Sequence, residues 1–119
     1  MTPERPGTIL LIHGAWLTPA SWDGVRQRYE ALGYTVLAPA LGIGNGVWFR
    51  RSNRAPLLLI TGEDDRTVDP AMVRATYRKY ARSPAVTELK SFAGRPHWII
   101  GAPGWEEVAD YALGWATSH

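Results

Sequence analysis

The chain contains no cysteine. That absence excludes disulfides, thiolate nucleophiles and cysteine-ligated metal sites, and it is neutral about compartment. Long apolar runs are missing too. The longest, residues 9–12 and 57–60, fall far below the ~20 residues of a membrane-spanning helix. Residues 1–6 have neither the basic start nor the apolar core of a signal peptide, so a cytoplasmic protein with no membrane partner is expected. Neither charge sign dominates, and a formal charge of +2 is too small to suggest nucleic acid. Arg50, Arg51 and Arg54 cluster, but no repeated aromatic platform surrounds them, and they read as a solvated linker.

What remains is ordinary globular composition: 119 residues, 45% hydrophobic and 20% charged. One domain over residues 1–119, with a real core, is expected. Six Trp and five Tyr are many for so short a chain, and some of those rings should line a pocket or an interface.

The chain is organised around Thr8-Ile9-Leu10-Leu11-Ile12-His13-Gly14-Ala15-Trp16. A short apolar run stopped by glycine reads as a strand buried on both faces of a parallel sheet. Residues just past such a strand lie at the carboxyl edge, where open α/β folds place ligands. A helix follows, with Trp22, Val25, Tyr29 and Leu32 at helical spacing, Thr18 or Ser21 as its cap and Gly33 at its end. Residues 34–38 form the second strand, completing a βαβ unit of about 30 residues.

Residues 40–55 are a connector. Gly42, Gly44 and Gly46 have neither the Walker lysine nor the spacing of a dinucleotide fingerprint. Trp48-Phe49 could lie across an uncovered sheet face. Residues 56–62 are a second fully buried strand, and Glu63-Asp64-Asp65 come directly after it. Asp69-Pro70 opens the next helix, with Met72, Val73, Tyr77 and Tyr80 as its apolar stripe. Residues 86–92 alternate as an edge strand. The loop with Pro96-His97-Trp98 then leads to a last helix with Trp105, Val108, Ala109, Ala112, Leu113 and Ala116 on one face.

With His13-Gly14-Ala15-Trp16, Gly62-Glu63-Asp64-Asp65 and Pro96-His97-Trp98 in this order, the chain resembles an α/β-hydrolase over roughly residues 7–40 and 55–117. The resemblance implies an oxyanion loop at Gly14, Ala15 and Trp16, with His13 shaping it. It also implies a triad acid at Asp65 and a triad histidine at His97. The family's G-x-S-x-G nucleophile elbow is absent. Ser21, Ser52, Ser83, Ser91 and Ser118 are not placed on a strand-to-helix elbow, and helix capping accounts for Ser21. The connector stands where the elbow strand, its helix and the lid should be, so the chain resembles an α/β-hydrolase with its middle removed.

Closing that gap implies a doubly wound α/β sandwich of four parallel strands in the order 2-1-3-4. The helices lost with the middle leave apolar surface bare, which implies a homodimer, with exchange of halves through the connector as one form of it. Asp65 is expected to orient His97, whereas Asp64 is a weaker candidate and Asp69 is a helix cap. The resemblance leaves two functions open. One is a catalytically impaired or inactive module; the other is a weak hydrolase of small carboxylic esters in which Asp65 and His97 activate water. Neither needs a metal or an organic cofactor.

Overall fold

The computed structural model describes residues 7–12, 19–38 and 52–119, in two compact units divided between Leu41 and Gly42. The first unit contains β1 (Thr8–Leu10), a 3-10 turn (Pro19–Trp22), α1 (Asp23–Ala31) and β2 (Thr35–Leu37). β1 and β2 pair in parallel, with Thr8 beside Thr35 and Leu10 beside Leu37. Val25 and Tyr29 of α1 are buried, as are Leu11 and Val36. The helix ends where Gly33 takes a φ of 93°, its N–H bonding the Glu30 carbonyl at 2.9 Å. That left-handed turn costs glycine nothing and swings the chain into β2.

The second unit contains β3 (Leu57–Gly62), α2 (Pro70–Tyr80), β4 (Thr87–Phe92) and α3 (Trp105–Thr117). β3 and β4 form a parallel ladder from Leu57–Thr87 to Gly62–Phe92. Because side chains alternate along a strand, the two faces of this sheet have different partners. Thr87, on one face, reaches the Tyr80 carbonyl of α2. On the other face, Glu88 bonds the Trp115 indole N–H at 2.7 Å, and Phe92 meets Tyr111 edge-on at 5.7 Å between ring centroids. Helices therefore cover both faces, with Val108 and Ala109 of α3 in the core. Asp69 caps α2 by accepting from the Ala71 N–H at 2.9 Å, and Pro70 takes the position where a missing donor costs nothing.

Several expectations are corrected. Among the described residues there are two two-stranded sheets, not four strands in the order 2-1-3-4: the neighbours 2-1 and 3-4 are present, and no ladder joins β1 to β3. A strand of three residues offers few ladder bonds with which to hold a second neighbour. The strands are also less buried than their unbroken apolar runs implied. Leu10 and Leu37 are exposed, and residues 57–60 are half-buried. A strand with a neighbour on one side only keeps part of its surface at an edge.

Ser21 lies inside the 3-10 turn, and α1 has Trp22 at its N-cap position with no side-chain capping bond. Met72 points outward, leaving Val73, Tyr77 and Tyr80 as the half-buried stripe of α2. Arg54 is not part of a solvated linker. It is buried, and its guanidinium bonds the Ala55 and Val86 carbonyls at 3.0 and 2.9 Å and the Thr87 hydroxyl. Burial lowers its pKa. Arg50, the rest of the glycine-rich connector to residue 51, and Trp48-Phe49 lie outside the described residues.

Candidate functional site: an acid–histidine dyad

Two loops of the second unit meet at the carboxyl end of β3. The β3 strand hands over to residues 63–69, and β4 hands over to residues 93–104. What brings them together is glycine at position 62. A Cβ there would run into the Arg95 carbonyl and lie 2.8 Å from the Pro96 carbonyl oxygen. The two backbones are then sewn: Glu63 N–H donates to the Phe92 carbonyl, and Asp64 N–H to the Arg95 carbonyl, both at 3.0 Å.

Asp65 emerges from this seam with its side chain 8% exposed. One carboxylate oxygen, Oδ1, accepts the N–H groups of Thr67 and Val68, each at 2.8 Å. The other, Oδ2, faces Nδ1 of His97 at 2.7 Å. Burial raises the Asp65 pKa, but the bonds from Val68, His97 and Thr67, with the charge of His97, outweigh it and hold the carboxyl below its ordinary value. An ionised Asp65 accepts from both sides, so Nδ1–H of His97 is the donor to it and the ring's orientation is set.

The histidine loop is braced independently. Arg95 donates to the Pro103 carbonyl at 3.1 Å and to Glu107 at 3.0 Å, tying the loop to the first turn of α3. Gly104 has a φ of 89°, and a Cβ there would strike the Arg95 guanidinium. Ile99, Ile100 and Ala102 are buried, so the loop is anchored by apolar side chains just past the histidine. Trp98 is 53% exposed beside His97, and its indole lies where a Cβ on Gly101 would be.

Of the predicted site residues, Asp65 and His97 are brought together. Gly14, Ala15 and Trp16, with His13, lie outside the described residues. Asp69 is the α2 cap. Asp64 contributes its backbone N–H to the seam and is exposed. Sequence reasoning missed the Thr67 and Val68 donors and the Arg95 brace. The turn-forming Asp-Arg-Thr-Val was a signal for the donors, since aspartate commonly bonds its own backbone two residues on. Among the described residues no group of His, Asp and Glu is placed to hold a metal ion. Among them, too, no helix is long and apolar enough to cross a membrane. No protein-family model matches the chain, and no curated protein matches it.

Proposed function

We propose that the chain is a truncated α/β-hydrolase-like protein that keeps the acid and base of a catalytic triad without its serine. Its own hydrolytic activity is impaired or absent, and it self-associates. The observation that carries this reading is the Asp65–His97 contact at 2.7 Å, with the remaining Asp65 oxygen held by two backbone N–H groups. A carboxylate committed to Nδ1 sets the tautomer and orientation of the ring, which is what the acid of a triad does. The α/β layering of the second unit, with the dyad at the carboxyl end of its strands, supports it as well. The oxyanion loop at Gly14, Ala15 and Trp16 belongs to the same proposal.

The dyad geometry also favours a second reading, a weak hydrolase of small carboxylic esters. Nε2 of His97 takes a proton from water as the water oxygen attacks the ester carbonyl. Collapse of the tetrahedral intermediate returns that proton to the departing alkoxide. Without a nucleophile, what survives is of the order of 10³–10⁴ over the uncatalysed reaction in a triad enzyme stripped of its serine.

Turnover of p-nitrophenyl acetate by the purified protein and by His97→Ala separates the two. Equal rates support the impaired module. A rate above background that His97→Ala abolishes supports the water-using dyad. Stoichiometric labelling by a serine-directed fluorophosphonate would overturn both, since each requires that the chain lack an activated serine.

A further inference from the structure

His97 is followed directly by the largest apolar side chain left open to solvent among the described residues. Trp98 is 53% exposed, whereas Ile99, Ile100 and Ala102 after it are buried. Those three anchor the loop, and the tryptophan adds nothing to the core beneath them. Exposure alone marks nothing, since single apolar side chains are common on surfaces. What sets Trp98 apart is how it is held.

The Trp98 carbonyl accepts the N–H groups of Gly101 at 3.3 Å and Ala102 at 2.9 Å, which turns the chain back on itself. The indole lies against that turn. A Cβ on Gly101 would run into Cε2, Cζ2 and Nε1 of the ring, so glycine at 101 is what makes the seat. A ring seated in this way has little freedom left to lose when a ligand covers its open surface. Tryptophan adds large contact area on only two rotatable side-chain bonds. The neighbouring His97 has its Nδ1 turned to Asp65 and its side chain 17% exposed, so the open indole is the broad apolar surface next to the dyad.

We propose that Trp98 is the specificity-determining residue of the dyad's site, and that the site takes esters with a flat aromatic ring in preference to wholly aliphatic ones. This rests on the hydrolase-like reading and names its substrate class. Two aromatic rings attract through their quadrupoles as well as their contact area, an advantage that a puckered ring of the same size lacks. Trp98 takes no part in bond making. It holds the non-reacting ring of the ester, which limits where the ester carbonyl can sit beside His97.

Binding is measured apart from turnover, with two amides that stand in for esters: acetanilide, which has a flat ring, and N-cyclohexylacetamide, which has a puckered one. Trp98→Phe identifies the Trp98 indole N–H signal among those of the six tryptophans in a proton–nitrogen NMR spectrum. In the wild type, acetanilide is expected to move that signal saturably and N-cyclohexylacetamide to bind about threefold more weakly or worse. Trp98→Ala is expected to weaken acetanilide about tenfold, and Trp98→Phe less. An unmoved Trp98 signal overturns the proposal. So does equal binding of the two amides, or a Trp98→Ala variant that binds acetanilide as the wild type does. If circular dichroism shows Trp98→Ala unfolded, the contrast between the two amides on the wild type decides alone. Turnover of p-nitrophenyl acetate separates this proposal from the reading beneath it. Equal rates in wild type and His97→Ala, together with the expected binding, keep the ring platform and remove the working dyad. A rate that depends on His97, with no response at Trp98, does the reverse.

Discussion

Two strands of near-identical character behave differently in this molecule. Both are apolar runs ending toward glycine, Ile-Leu-Leu-Ile-His-Gly and Leu-Leu-Leu-Ile-Thr-Gly, yet β1 has three residues and β3 has six. The length of β3 is explained by its carboxyl end. β3 runs into a loop whose first two N–H groups are taken by the Phe92 and Arg95 carbonyls and whose aspartate is held by three partners. A strand whose far end is tied down loses little further entropy by staying paired to its last residue. Past β1, the described residues show one further backbone bond, from the Leu11 N–H to the Leu37 carbonyl at 2.8 Å. In β3, ladder length is set by how the strand is finished as much as by its apolar residues.

The largest expected effect tests that finish directly. Gly62→Ala places a methyl group against two carbonyl groups that cannot move without unpicking the seam, and it is expected to cost about 1–3 kcal/mol. Gly7→Ala, at the entry to β1, meets nothing within 4 Å and has no positive φ. It is expected to be neutral or slightly stabilising, by less chain entropy in the unfolded state. Urea denaturation of the two variants measures both. Equal losses would break the comparison.

Next comes the aspartate itself. Asp65→Asn keeps the shape and loses the charge that Thr67, Val68 and His97 bond to, an expected cost of about 2–3 kcal/mol. The pH dependence has a definite sign. A carboxyl whose folded pKa lies below its unfolded value stabilises fully above the ordinary aspartate range. That contribution is lost as pH falls through the lowered folded value. Acid denaturation curves should therefore converge for wild type and Asp65→Asn at low pH and separate above pH ~4. A constant gap across pH would remove Asp65 from the account of what finishes β3.

The dyad was legible in sequence because its two residues sit in short, ordered motifs at strand ends. His97 comes directly after Pro96 in the loop before the last helix, and Asp65 stands three residues past the glycine that ends β3. Their supports were not legible. Ile99, Ile100 and Ala102 are buried within a loop, where apolar residues carry no helical or strand period to be read. Arg54 looked like one arginine of a polar linker. It is buried because the first residues of β3 and β4 leave the Val86 carbonyl and the Thr87 hydroxyl within reach of one guanidinium. The expected pairing of β1 with β3 failed in the same way, while β1–β2 and β3–β4 are present. Apolar character marks a strand, and the identity of its neighbours depends on backbone edges that side chains do not encode.

The smallest expected difference is between two glutamates at the surface. Glu107 in α3 accepts from Arg95 at 3.0 Å, and the Arg95 side chain is 18% exposed and already bound to the Pro103 carbonyl. Glu30 in α1 forms an ion pair with Arg26 at 3.3 Å across one helical turn, and both side chains are at least 40% exposed. Arg26 is held as well, by the Val36 carbonyl at 3.1 Å, so what separates the two pairs is that the Arg95 guanidinium is the less solvated cation. Glu107→Gln is therefore expected to cost about 0.5 kcal/mol or somewhat more, and Glu30→Gln about 0.3 kcal/mol, both fading with salt. Paired thermal melts at low and high salt resolve the order. If Glu30→Gln proves the costlier, the brace on the histidine loop owes nothing to its ion pair, and the Arg95–Pro103 bond and the buried isoleucines carry it alone.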